Sequence, residues 1–109
     1  MKWLPAVSVE QLSVGYGGCV LLEGHQIAIF RYGPEEFYAL QNQCTHKKQM
    51  VIARGLMGDK EGRPKVACAL HKNQFSLDTG KCLSAELESL KSYPVKLEDG
   101  QVFIGLTNQ

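Results

Sequence analysis

Short apolar runs broken by paired turn residues set the rhythm of this chain. Cys19 to Leu22, Gln26 to Tyr32, Phe37 to Gln41, Lys65 to Cys68, Phe75 to Leu77, Pro94 to Leu97 and Val102 to Leu106 are each of strand length and carry apolar, β-branched or aromatic residues. Between them fall Gly17-Gly18, Glu23-Gly24, Gly33-Pro34, Thr79-Gly80 and Asp99-Gly100, pairs that turn a chain back on itself. The pattern predicts strands joined largely by hairpins. Asp99-Gly100 is the clearest of these signals, because Asp-Gly suits the two positive-φ positions of a type I′ turn. The last two strands should therefore pair antiparallel. Only Val9 to Val14, a single turn after Ser8, and Ala85 to Lys91, where Leu87 and Leu90 lie three apart, read as short helical pieces.

The expected architecture is all-β, a small antiparallel sandwich or barrel. At 109 residues the chain has room for one core and is read as a single domain over 1–109. One stretch, Lys47 to Val66, breaks the strand rhythm with Gly55, Gly58, Gly62 and Pro64, and reads as a loop or hairpin with a task of its own.

Lys and Arg number 12 against 11 Asp and Glu, so no overall field recruits nucleic acid or a membrane surface. The apolar runs are far shorter than the roughly 20 residues of a membrane-spanning helix. Met1-Lys2-Trp3-Leu4-Pro5 does not resemble a secretory leader, which makes the expected location cytoplasmic. In that reducing compartment four cysteines argue for metal or cluster ligation ahead of disulfides.

Two of the four have a histidine within three residues. Cys44-Thr45-His46 and Cys68-Ala69-Leu70-His71 form C-x-H and then C-x-x-H, each following an expected strand. Ligands there sit on turns, in loops 44–49 and 68–73, steadied by the strands beneath. Thiolate and imidazole donors both suit zinc, but zinc motifs usually begin with C-x-x-C; two cysteines on one iron and two histidines on the other describe a Rieske 2Fe-2S cluster. The other candidates receive plainer readings. His25 is a surface residue beside a turn, Cys19 and Cys82 are small buried strand residues, and Trp3, Tyr38 and Phe103 are core or interface packing. No nucleophile triad, phosphate loop or nucleotide fingerprint is present.

The ligand pattern and its surroundings resemble the Rieske family. The likeness continues through His71-Lys72-Asn73-Gln74-Phe75-Ser76-Leu77-Asp78-Thr79-Gly80-Lys81-Cys82-Leu83 and the hairpin Tyr93-Pro94-Val95-Lys96 with Asp99-Gly100-Gln101-Val102. It implies the fold of Rieske iron-sulfur proteins, an antiparallel β-sandwich with two cluster-binding loops at one tip, and a cluster held by Cys44, His46, Cys68 and His71. Within the family, Val51-Ile52-Ala53-Arg54-Gly55-Leu56-Met57-Gly58-Asp59 and Ala28-Ile29-Phe30-Arg31 are similar to the small-subunit group of assimilatory NAD(P)H-dependent nitrite reductases. That likeness implies an electron-transfer subunit with no complete active site. Its large partner subunit would carry FAD, sirohaem and a further iron-sulfur centre and would reduce nitrite to ammonium.

High-potential relatives carry a disulfide between the two loops and hydroxyl donors to the cluster sulfurs. The corresponding positions here are Gln49 and Leu70, and Asn73 and Phe75. The resemblance therefore implies a potential toward the lower end of the Rieske range of about −150 to +300 mV. Lys47, Lys48 and Lys72 flank the histidines and are candidates for steering an acidic partner, or simply for solvating the loop tips. Two other functions compete: a stand-alone Rieske ferredoxin of an oxygenase system, and a docking module whose site is cluster-free or filled by zinc.

Overall fold

The computed structural model describes residues 2–43, 52–68, 73–84 and 89–106. Among these residues the strands are β1 (Lys2–Ser8), β2 (Gly17–Leu22), β3 (His25–Gly33), β4 (Glu36–Gln41), β5 (Leu56–Lys60), β6 (Arg63–Ala67), β7 (Gln74–Ser76), β8 (Ser92–Tyr93), β9 (Val95–Glu98) and β10 (Gln101–Leu106). They form three antiparallel sheets, ordered β1-β10-β9, β2-β3-β4-β8 and β5-β6-β7.

The layering follows from four consecutive residues of β3. Ile27, Ala28, Ile29 and Phe30 are all buried, none more than 1% exposed. A strand sends successive side chains to opposite faces, so such a run needs cover on both sides. Ala28 and Phe30 pack with Leu40, Val66, Phe75 and Leu77. Ile27 and Ile29 pack with Phe37, Ala39, Val102, Ile104 and Leu106. The β2-β3-β4-β8 sheet is thus the middle layer, with β5-β6-β7 on one face and β1-β10-β9 on the other. Burying each large apolar side chain contributes about 1.5–3 kcal/mol.

Two-residue turns fix the register of three hairpins. Glu23 and Gly24 (φ 49° and 84°), Glu61 and Gly62 (54° and 83°), and Asp99 and Gly100 (51° and 76°) each place two consecutive residues at positive φ, as a type I′ turn demands. Arg31 secures the other end of β3. Its Nη1 donates to the carbonyls of Val9 (3.1 Å) and Leu12 (2.8 Å), and its Nη2 to that of Pro34 (2.8 Å).

Each expected strand lies within two residues of an observed one, and three further strands appear. β1 carries Pro5, tolerated because β1 is an edge strand whose register shifts between Pro5 and Val7, where a missing N–H costs little. β5 has too little apolar alternation to stand out and forms by pairing with β6 across the Glu61-Gly62 turn. β8 is only two residues long. Gly17 and Gly18 do not make a turn; they open β2. A Cβ on Gly17 would lie 2.8 Å from the Phe30 ring and 2.9 Å from the Ala53 carbonyl, so close packing accounts for this glycine.

The turn expected after Ser8 is a 3₁₀ turn, Val9–Gln11, with Gln11 Oε1 accepting the Ser8 N–H at 2.8 Å. Of the helical span expected at 85–91, residues 85–88 lie outside the described residues, and 89–91 are not helical.

Cys82 is buried as expected, but Cys19 is exposed on β2, a correction of the buried reading. β2 is the edge strand of the middle sheet, so its cysteine is not enclosed. His25 is at the surface. Trp3 and Phe103 lie beneath the Lys96 ammonium, 4.8 and 5.7 Å from their ring centres; Trp3 remains 37% exposed, so it covers the outer face of its sheet rather than filling a core. Tyr38 packs edge-on against Tyr32 and donates its hydroxyl to Glu36. Burial, and then the Glu36 carboxylate, push that hydroxyl's pKa up. Among the described residues no helix is long and apolar enough to cross a membrane.

Gly80 has φ +80°, and a Cβ there would stand 2.0 Å from the Leu90 carbonyl oxygen. Gly80→Ala should destabilise the fold by about 3 kcal/mol or more, combining left-handed strain with a backbone clash, whereas Gly62→Ala, at φ +83° in open space, should cost only about 1–2 kcal/mol. Urea unfolding of both variants checks the difference.

Candidate metal centre

The two loops that carry the cysteine and histidine pairs spring from neighbouring points on one core. The first leaves β4 through Asn42 and Gln43 and returns at Ile52, which begins a 3₁₀ turn, Ile52–Arg54. Its base is closed by the Ile52 N–H donating to the Asn42 carbonyl at 3.1 Å. The second begins at Cys68, just past β6, and is closed by the Cys68 N–H donating to the Asn73 carbonyl at 2.8 Å. Ile52 and Cys68, at 0% and 1% exposure, belong to the same buried cluster.

Gly55 joins the two bases. Its N–H donates to the Ile52 carbonyl at 2.9 Å, and a Cβ on it would stand 2.3 Å from the Ala67 carbonyl oxygen and 2.8 Å from Val66 Cγ2. Backbone approach this close is open only to glycine. The end of the first loop is thereby seated against the residue that precedes Cys68.

Asn42, 4% exposed, is one of two buried polar residues among those described. Its Oδ1 accepts the Ala53 N–H at 2.7 Å, and its Nδ2 donates to Gln26 Oε1 at 3.2 Å and to Cys19 Sγ at 3.4 Å. Its main-chain N–H donates to the Gln26 carbonyl at 3.1 Å. Gln41 steadies the approach: its N–H donates to the Lys91 carbonyl at 2.8 Å, its Oε1 accepts the Lys91 N–H at 2.7 Å, and its Nε2 donates to the Gln43 carbonyl at 2.8 Å. Although Cys19 is an exposed residue, partial desolvation of its thiol beside Asn42 pushes the pKa up, which favours the neutral thiol over a reactive thiolate.

Of the expected ligands, Cys68 stands where the sequence places it, at the end of a strand. Cys44, His46 and His71 lie outside the described residues, as do Lys47, Lys48 and Lys72. Among the described residues no group of three potential ligands gathers elsewhere. The donor set suits a histidine-ligated 2Fe-2S cluster. Cys68 is shielded from water, as a thiolate bridging protein to cluster should be, and the loop bases are held by main-chain bonds.

Sequence reasoning missed Asn42 and Gly55. An asparagine two residues before a C-x-H motif is a faint signal, since its burial depends on Gln26 from another strand. Gly55 was noted as part of an interrupted segment, but its need for close approach depends on where β6 lies.

Stacked antiparallel sheets with two anchored loops, one leading into Cys44-Thr45-His46 and one starting at Cys68, define an iron-sulfur domain of the Rieske type. The chain belongs to the Rieske-like 2Fe-2S domain family, whose model matches residues 2–105. It is 33% identical over 102 residues to the small subunit of the NADH nitrite reductase of Salmonella typhimurium, spanning 93% of this chain and 94% of that one. It is 37% identical over 108 residues to the ferredoxin component of the naphthalene 1,2-dioxygenase system of Pseudomonas putida, spanning 98% of each. Its fold is similar to the crystal structure of a Mycobacterium tuberculosis protein described as the small subunit of an NADH-dependent nitrite reductase, with a TM-score of 0.93, 31% identity, and coverage of 99% of this chain and 97% of that one.

Gly55→Ala should separate the two loop bases and destabilise the domain by about 3 kcal/mol. Gly58→Ala, whose nearest neighbour would be Lys65 Cε at 3.5 Å, should cost no more than about 1 kcal/mol. Thermal unfolding followed by circular dichroism distinguishes the two.

Proposed function

We propose that this chain is the electron-transfer small subunit of an NAD(P)H-dependent nitrite reductase, holding a Rieske 2Fe-2S cluster through Cys44 and Cys68 on one iron and His46 and His71 on the other. The observation that carries the reading is the joining of the two ligand-loop bases through Ile52, Gly55 and Ala67. It supports a reading in which the two ligand pairs, far apart in sequence, belong to one domain over 1–109. When bound, the cluster supplies a reversible one-electron centre. The chain's own residues anchor, orient and shield it. Ile52, Val66, Cys68 and Phe75 build a dry floor, and a reducing, cytoplasmic setting keeps the thiolates available.

Nitrite reduction itself belongs to the large partner subunit, with its FAD, sirohaem and further iron-sulfur centre. Lys47, Lys48 and Lys72, beside the ligand histidines, steer an acidic face of that partner toward the cluster. Phe75 supports a low potential, since it is wholly buried and has no hydroxyl to offer a cluster sulfur, leaving the reduced cluster with one stabilising hydrogen bond fewer.

The likeness to the naphthalene dioxygenase component supports a second reading, a free Rieske ferredoxin serving an oxygenase. The two differ in partner and not in cluster chemistry. Reconstitution with a sirohaem-bearing large subunit decides between them: a stable complex that couples NAD(P)H oxidation to nitrite supports the first, and no complex, with electron delivery to an oxygenase, supports the second.

Anaerobically purified, dithionite-reduced protein should give the rhombic, low-average-g paramagnetic resonance of a histidine-ligated cluster, with about two irons per chain. His46→Ala and His71→Ala should each abolish that signal while the circular dichroism of the β domain is retained. An unchanged spectrum in either variant would refute the ligand assignment, and zinc in place of iron would support the docking-module alternative.

A further inference from the structure

We propose that Asn42 is a positioning residue for the cluster, the latch that fixes the first ligand loop to the middle sheet. The inference rests on the ligand assignment of Cys44 and His46, which lie in the chain between Asn42 and Ile52. Asn42 spans that loop with two bonds to its far end, the carbonyl taking the Ile52 N–H (3.1 Å) and Oδ1 taking the Ala53 N–H (2.7 Å). A single carbonyl-to-amide bond lets the loop base pivot. A second acceptor from the same residue, bound to the next amide, removes that freedom.

The side chain is itself held. Its amide nitrogen donates to Gln26 Oε1 and Cys19 Sγ, on β3 and β2, and its main-chain N–H donates to the Gln26 carbonyl. Every polar group of this buried residue is therefore engaged, linking three elements. Aspartate keeps the acceptor for Ala53, and the exposed Gln26 amide can turn to donate to it. Alanine leaves the Ala53 N–H without its partner.

A redox cluster needs ligand positions fixed to about half an ångström, so the latch acts on the cluster's environment and lifetime as well as on the fold. In full-length protein, Asn42→Ala should raise hydrogen exchange in peptides containing Ile52 and Ala53 about ten-fold, with β3 peptides unchanged. It should also release iron to a ferrous chelator at least five-fold faster and broaden the resonance of the reduced cluster. Asn42→Asp should return exchange and iron release to within about two-fold of the parent protein. Should Asn42→Ala not fold, Gln26→Ala, which removes an exposed acceptor of the Asn42 amide, should give a smaller rise, two- to three-fold.

Unchanged exchange at Ile52 and Ala53 in the variant tested would overturn the latch. Faster exchange with unaltered iron release and resonance would reduce Asn42 to a purely structural residue, leaving the ligand assignment standing. Failure of Asn42→Asp to rescue would remove Oδ1 from the account. Absence of any Rieske signal in the parent protein would overturn the ligand assignment and the positioning role together.

Discussion

Burial of β3 on both faces is the constraint around which the domain is arranged. A strand of Ile27, Ala28, Ile29 and Phe30 cannot lie at a surface without exposing one of its two apolar sides. Two further sheets must cover it, and they use different parts of the chain. The termini of the domain, through β1, β9 and β10, cover the Ile27 and Ile29 side. The segment between the expected ligand pairs, folded as β5 and β6, joins β7 in covering the Ala28 and Phe30 side. The same burial that stabilises the fold therefore sets the hairpin carrying Cys68 against the sheet that leads to Cys44.

Division of labour between the two cores follows. The Ile27 side is covered by β1, β9 and β10, whose last hairpin closes at the Asp99-Gly100 turn, a scaffold with no expected ligand in it. The Ala28 side is built from short strands, a 3₁₀ turn and loop bases, and here the polar anchor Asn42 appears. A loop end that must hold ligands cannot rely on apolar contacts alone, which are non-directional. Hydrogen bonds to specific amides fix orientation, and buried asparagine is economical because one side chain both donates and accepts.

The strands were legible in the sequence wherever apolar runs met strong turn chemistry: β3, β4, β9 and β10 stand out from Glu23-Gly24, Gly33-Pro34 and Asp99-Gly100 alone. β1 and β5 were not, for different reasons. Pro5 in β1 argues against a strand unless one knows it lies at an edge, and β5 becomes a strand only by pairing with β6. Gly17-Gly18 misled because a glycine's freedom in a turn and its smallness beneath Phe30 look identical in text. Cys19 misled similarly, since alternation along β2 does not reveal that β2 is an edge. The ligand pairs were legible from spacing and residue type. Their supports, Asn42 and Gly55, were not, because each is defined by what lies opposite in space.

That asymmetry bears on how the two functional readings are weighed. A nitrite reductase small subunit and a dioxygenase ferredoxin component are both about a third identical to this chain over nearly its full length, so overall identity alone does not separate the two partners. Partner choice must rest on exposed positions that the core leaves unconstrained, such as Arg54 and Leu56, the latter 79% exposed on β5 directly across from Ala67 and one residue from the Cys68 loop. The stretch that resembles nitrite reductase small subunits, Val51 to Asp59, includes the exposed Arg54, Leu56 and Asp59 beside the buried Ile52, and only its exposed positions bear on the partner.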